Sequence, residues 1–518
     1  MVPTMSESLV SPWQTSLHAF AARYGERVAV MSRGRTLTYS DLAAQADAVR
    51  AAVVAAGTKT GEPVAILARN GPGVVVASYG VMASGACEFV VDLNLGPDDI
   101  AYAMQISGVR RAVAERAEAH RVAALGLDVM VLEDIVASPA RKLPSPPFDP
   151  RAWARIVMTS GTTGRPKGII HRHDRRWYAH VLLRAHQPFV PDAHDRVLLM
   201  TAFSHGAALV TAAWLESGAS VELIDGVDVA YADELFARRE ITAVFAPPTV
   251  LSKLIDGTRH ARIDGIKCVF CGTATLQPAL YRAAAEKFGA VIRVTYGKSE
   301  MFNPITVLEI DEAADYYRDL DALDAVCLGS PAAGVEVMVR DETGRACGTG
   351  EHGEIHLRSP HMMIGHVDAQ GFHELLEGAF HATGDLGYRD ARGRLFLAGR
   401  ANDVIKTGGY KIYPEEIERV LPAGVAVVGI PSAHWGEVIV AVSEGGDVTA
   451  EVARATAGLA RYKQPRACLT LEALPRSLQG KVQRARMRQL VLERYAMTDG
   501  PYPKFALRNN SHENVSLP

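Results

Sequence analysis

The sequence predicts an α/β protein with a large multi-subdomain N-terminal domain of α/β layers and a small α+β C-terminal domain. Three observations predict it. Apolar runs of strand length alternate with longer amphipathic stretches. The strand candidates are mostly apolar, as largely buried strands are. A chain of 518 residues is also too long for one core, at roughly 100 to 200 residues per domain.

The elements follow in order. LTYSDLAAQADAVRAAVVAAG (37–57) sets Leu42, Ala46, Val49 and Val53 at helical spacing, and PVAILARNGP then reads as a strand entering a turn at Asn70-Gly71. The proline-rich ASPARKLPSPPFDPRAW (137–153) reads as a surface connection. AVFAP (243–247), IKCVFCG (266–272) and AVIRVTYG (290–297) are further strands. After GRLFLAGR (393–400), a helix candidate PEEIERVL and strands AVVGI and EVIVAVSE begin a smaller unit. Periodicity ends near Asp499. The expected division is a large domain at 1–399, a small domain at 400–495 and a flexible tail at 496–518.

Composition narrows the function class. Lys+Arg 55 against Asp+Glu 58 gives a formal charge of −3, which offers no electrostatic case for nucleic acid or an anionic membrane. Six scattered cysteines with no closely spaced metal-like set fit small buried hydrophobes in a reducing compartment. The N-terminus lacks a basic flank followed by an apolar run, and no stretch reaches the roughly 18 apolar residues a bilayer span needs. A cytoplasmic protein, monomer or homodimer, is expected.

The most informative segment is MTSGTTGRPKG (158–168). Gly161, Gly164 and Gly168 let the backbone turn tightly and approach a ligand. Thr159, Ser160, Thr162 and Thr163 offer hydroxyls, and Lys167 adds a point charge, a set suited to polyphosphate oxygens. It is not the G-x-x-x-x-G-K-[ST] loop, because Gly164 is followed by Arg165 and Pro166. Taken alone, the segment also reads as a flexible surface loop.

In order along residues 15–490, this segment, Tyr296-Gly297-Lys298-Ser299-Glu300, Thr383-Gly384-Asp385, Gly399-Arg400, the run from Lys406 to Lys411, Pro414 to Glu418, and Leu474 to Lys481 resemble the motifs of the adenylate-forming superfamily. Its members are acyl-CoA and aryl-CoA ligases, luciferases and the adenylation domains of peptide synthetases. The resemblance implies ATP and Mg²⁺ as cofactors and a two-step reaction. A carboxylate attacks the α-phosphorus of ATP and releases pyrophosphate, and the acyl adenylate then passes to a second nucleophile.

The same resemblance implies roles for residues. Asp385 accepts from the ribose hydroxyls, Glu300 coordinates Mg²⁺ with Ser299 beside it, Tyr296 stacks near adenine, and Arg400 contacts ribose or phosphate. Thr273 joins the nucleotide set. Lys481 is the catalytic lysine brought by the small domain, and Asn402, with Asp403 next to it, occupies the hinge where relatives carry Asp or Lys. His205 matches a gate at the acyl pocket, whose walls are Phe203, Ala208, Phe245, Gly272, Gly297, Lys298 and Met301, with room for an aryl or other medium-sized acid. Lys298 departs from the usual uncharged residue; it reads either as solvent-facing or as a pocket residue that counters a second anionic group or meets a polar ring substituent through water. Gly408, Gly409 and Trp435 line the acceptor channel, and CoA is the expected co-substrate. An amine, a carrier-protein thiol and a degenerate nucleotide-binding module stay open as alternatives. His171, Arg172, His173, Arg175 and Arg176 read as a solvated helix face or anion-attracting rim, without the carboxylate or cysteine a metal site needs.

Overall fold

The computed structural model describes residues 10–138, 143, 147–159, 166–272, 275–318, 325–476 and 482–508. The helix expected at 37–57 runs Tyr39–Ala55, started by a capping box in which Thr38 and Asp41 satisfy each other's backbone N–H groups. Leu42, Ala46, Val49 and Val53 are fully buried. Each of the larger three contributes roughly 1.5–3 kcal/mol by leaving water. The helix packs against its neighbour Pro72–Ala83, where Gly80 has room for no side chain: a Cβ there would lie 2.5 Å from Val49.

Among the described residues, two large sheets carry this region. The broader has thirteen strands. Its centre is parallel, from Ser220–Leu223 through Arg196–Leu199, Ala243–Phe245 and Cys268–Gly272 to Ile292–Lys298. There the direction reverses. Met301–Leu308 returns antiparallel beside Ile292–Lys298, followed by Val326–Pro331, Leu395–Arg400, His381–Arg389, Gly353–Arg358 and Glu336–Arg340. The carboxyl end of the last parallel strand, at this switch in direction, is where open α/β sheets expose backbone to ligands. The second sheet has eight strands, with Trp153–Thr159 and Lys167–Arg172 near one side.

The chain leaves the large sheet at Arg400, makes the short turn Ala401–Asp403 and enters a five-stranded sheet. Val425–Ser432 and Gly436–Glu444 are its longest strands, and Ala467–Leu471 joins it in parallel. The helix expected at PEEIERVL is only Pro414–Glu418. The expected flexible tail is corrected at its start. Tyr495–Thr498 and Lys504–Leu507 form an antiparallel hairpin, with Tyr495, Met497 and Phe505 packed on the small core. Among the described residues no helix is long and apolar enough to cross a membrane.

Candidate active site

Thr159 and Lys167 face each other across the antiparallel pair that ends one strand and begins the next. They mark the base of the predicted phosphate segment. Ser160, Gly161, Thr162, Thr163 and Gly164 lie outside the described residues, as does Thr273.

Opposite this base is the tight turn Ser299-Glu300, closed by the pairing of Lys298 with Met301. Glu300 therefore stands at a hairpin tip whose backbone is held at two points. The Glu300 carbonyl accepts from the Met363 N–H at 2.8 Å. The Ser299 carbonyl lies 2.8 Å from Nε2 of His171, whose ring stacks on Phe302 with centroids 3.9 Å apart. His171 is fully buried, and burial pushes its pKa down to about 3, so the ring is neutral and donates to that carbonyl. Nearby, burial also lowers His381, which sits in the fields of Glu300, Lys298 and Lys167.

A second cluster forms around Asp385, whose side chain is 4% exposed. Its Oδ2 accepts from the Tyr296 hydroxyl at 2.5 Å and from Lys298 Nζ at 2.8 Å. Its Oδ1 lies 3.4 Å from Nε of Arg400, the residue directly opposite on the neighbouring strand. Burial opposes ionisation here. The charge of Lys298 and then of Arg400, with the hydrogen bonds, outweighs it and holds Asp385 below the usual carboxylate range. Burial and the Asp385 charge keep the Tyr296 phenol protonated. The loop is rigid: Thr383 Oγ1 donates to the Ile355 carbonyl at 2.7 Å and accepts from the Asp385 N–H, while Gly384 N–H donates to Glu354 at 3.0 Å. Lys298 is thus found on the carboxylate expected to hold ribose, where the sequence reading had set it at the acid. Between Tyr296 and Lys298, Gly297 permits close approach, since a Cβ would sit 1.8 Å from Asn303 Oδ1.

The predicted acid pocket begins at Phe203–Ala207, an irregular helical turn interrupted at His205 by non-helical backbone angles. Two buried residues hold it. Asn70 accepts from the Phe203 N–H at 3.0 Å while its amide donates to the Thr201 and Ile224 carbonyls. The guanidinium of Arg155 donates to the carbonyls of Phe203 at 3.1 Å and Ser204 at 2.8 Å. Glu88, fully buried, accepts from Arg155, pairs with Arg176 and accepts from Ser78 at 2.5 Å. Gly206 then lets the turn meet Phe245, whose ring would lie 3.1 Å from a Cβ there. Phe203, Ala208, Phe245, Gly272 and Met301 are buried, while His205 and Gly297 are partly exposed.

This network corrects the reading of the basic cluster as a solvated face. His171, His173 and Arg176 are 0–2% exposed, and Arg175 is 9% exposed. Arg176 is neutralised by Glu88. Arg175 donates to the carbonyls of Met362 and Met363, and His173 lies 3.2 Å from the carbonyl of Gly85. Sequence reasoning missed Asn70, Glu88, Arg155 and the role of His171. An Asn before Gly-Pro at a strand end was the one local signal available.

In the small unit, Gly408 and Gly409 form the turn of the hairpin Ile405–Thr407/Tyr410–Ile412, both at positive φ as a two-residue turn of this kind requires. The Gly408 N–H donates to the Trp435 carbonyl at 2.9 Å, and the Trp435 ring would lie 3.3 Å from a Cβ on Gly408. The structure therefore joins the three predicted channel residues. It adds Arg466, stacked 3.7 Å over the Trp435 ring. The C-terminal hairpin closes on the turn 432–435 that carries Trp435. Asp499 accepts from Ser432 Oγ and the Ala433 N–H, each at 2.6 Å, and Trp435 Nε1 donates to the Gly500 carbonyl at 3.0 Å. Asn402 is exposed, whereas Asp403 pairs with Arg484 at 3.3 Å beside Glu415 and Glu418. Lys481 lies outside the described residues.

The chain matches the sequence profile of the family described as AMP-binding enzyme over residues 17–367. It is 29% identical over 498 residues to the sulfoacetate–CoA ligase of Cupriavidus necator, covering 90% of this chain and 95% of that relative. Among solved structures, ATP-bound MatB from Rhodopseudomonas palustris aligns with a TM-score of 0.80 at 25% identity, over 92% of this chain and 98% of its own. The amide bond synthetase McbA from Marinactinospora thermotolerans aligns with a TM-score of 0.79 at 25% identity, over 92% and 99%.

Proposed function

Because the chain belongs to the AMP-binding enzyme family, and so uses ATP and Mg²⁺ to convert a carboxylic acid to an acyl adenylate, we propose that it passes the acyl group to coenzyme A as a thioester. The observation that carries the site assignment is Asp385, a buried carboxylate kept ionised by Lys298, Arg400 and Tyr296 beside the Glu300 turn. Its free lone pairs suit ribose hydroxyls.

The donor chemistry also fits the metal. Glu300 is a hard oxygen ligand at a fixed tip in the field of a lysine-lined base, and it would hold Mg²⁺. When bound, Mg²⁺ neutralises phosphate charge. The residues of the chain supply the rest. Thr159 and Lys167 frame the phosphate segment, and Asp385 fixes the ribose. Asn70 and Arg155 hold the turn bearing His205, the gate of the acid pocket. The acid oxygen attacks the α-phosphorus and pyrophosphate leaves; no proton moves, so alignment and charge carry the step. Lys481 brings a positive charge to the carboxylate and α-phosphate as charge shifts. The small unit then turns about Asn402 and Asp403 to present Gly408, Gly409 and Trp435 to the thiol.

Phe203, Phe245 and the small residues Gly206, Ala208 and Gly272 favour an aryl or other medium-sized acid. The six free cysteines, mostly buried, fit the cytoplasm. An amine acceptor is the second reading, favoured by the contact of Asp499 and Gly500 with the turn expected to meet CoA.

The test is acid-dependent exchange of labelled pyrophosphate into ATP across a panel of aryl and medium-chain acids. The best acid is then given with CoA or with simple amines, and the products are identified by mass. A thioester is expected; amide formation faster than thioester formation would overturn the choice of acceptor.

A further inference from the structure

The geometry points to Lys298 as a positioning residue for the nucleotide ribose: it locks Asp385 so that one carboxylate oxygen is spent on protein and the other is presented to a ribose hydroxyl. This rests on the assignment of Asp385 to ribose and adds how that carboxylate is aimed. Tyr296 and Lys298 are two positions apart on one strand, on either side of an irregularity in its pairing at Gly297, and both side chains reach the same carboxylate. Both end on Oδ2 of Asp385, and Lys298 also donates to the Thr383 carbonyl at 2.9 Å. That third contact ties the ammonium to the Thr383–Asp385 loop itself. The carboxylate therefore cannot rotate about its own axis without breaking two bonds to Oδ2.

Oδ1 has a looser partner, Arg400 at 3.4 Å, whose side chain is 53% exposed. It is the acceptor left for a ligand. The groups facing this carboxylate are Lys298 and the Tyr296 hydroxyl, both from Ile292–Lys298 four strands along the same sheet, and Arg400 from the adjacent strand, with Glu354 bonded to the neighbouring Gly384 N–H. Lys298 supplies the nearest full positive charge that is also buried, at 12% exposure. A neutral, apolar side chain in its place would leave Tyr296 as the single donor to Oδ2, and the carboxylate would be free to turn.

The consequence is read in ribose discrimination rather than in overall binding. Calorimetry on the full chain compares ATP with 2′-deoxy-ATP and 3′-deoxy-ATP, all with Mg²⁺, for wild type, Lys298→Met and Lys298→Arg. Wild type should favour ATP over the more sensitive deoxy analogue by about tenfold or more, as expected for a lost hydrogen bond to a charged group. In Lys298→Met the ATP affinity should fall while that analogue is bound nearly as before, so the ratio shrinks toward one. Lys298→Arg should keep most of the ratio. An unchanged ratio in Lys298→Met, or equal losses for ATP and both analogues, would overturn the inference. If the Met variant fails to fold, Lys298→Gln reads the same ratio. Wild type that binds no ATP would instead remove the nucleotide assignment beneath it.

Discussion

Replacing Arg155 with methionine separates the acid pocket from the nucleotide site. Arg155 is 2% exposed, donates to the carbonyls of Phe203 and Ser204, and shares Glu88 with Arg176. Methionine fills much of the volume but leaves two buried carbonyls without their charged donor. Each such bond contributes about 1.5–3 kcal/mol, and breaking a buried ion pair costs about 3–5 kcal/mol. These overlap, because one guanidinium makes all of the contacts, and Arg176 still compensates Glu88. The expected loss is therefore about 3 kcal/mol, measured by urea unfolding. Function should divide more sharply. With the turn at 203–205 untied, KM for the acid should rise about tenfold, close to 1.4 kcal/mol, while KM for ATP stays within about twofold, since Glu300 and Asp385 are held by other residues. A stability loss below about 1 kcal/mol, or equal increases in both KM values, would refute the reasoning.

Lys481→Ala should slow adenylation by about two to four orders of magnitude, a loss of roughly 3–5 kcal/mol at the transition state. Supplying preformed acyl adenylate should bypass most of the defect, and equal slowing of both half-reactions would refute the assignment. Burial lowers His171 to about 3 and His173 and His361 to about 4, so the unfolded chain takes up their protons first. Their contribution is whole above about pH 6.5 and lost as pH falls, by up to about 1.4 kcal/mol per imidazole per pH unit. Urea midpoints at pH 7 and pH 5 check this, and His361→Asn should flatten the difference. Gly297→Ala puts a methyl 1.8 Å from Asn303 Oδ1 and should cost about 1–3 kcal/mol in thermal unfolding; an unchanged melt would show that Asn303 yields freely.

The motifs that carry the family resemblance were legible because the residues of each are neighbours in the chain. Glu300, Asp385 and Arg400 each stand in a short run that also sets a turn or strand end. Lys298 stood out as a departure, yet its partner is 87 residues away, and nothing local announces that Tyr296 and Lys298 converge on one oxygen. The basic run at 171–176 was misread for the same reason. Whether an arginine is solvated depends on a partner, and Glu88 lies two strands across the sheet from the helix that needs it. The hairpin at 495–507 was passed over because Tyr495-Ala496-Met497-Thr498 and Lys504-Phe505-Ala506-Leu507 show no clear apolar–polar alternation and are too short to separate from a frayed end.

That hairpin changes how the protein should be handled. A tag joined directly after Arg508 follows a hairpin clasped to the Ser432–Trp435 turn. On the acceptor route proposed above, a tag placed there shares space with the incoming acceptor. Transfer rates measured on C-terminally tagged protein therefore need comparison with protein tagged at the other end, whereas pyrophosphate exchange, which ends before the acceptor arrives, should be the same for both.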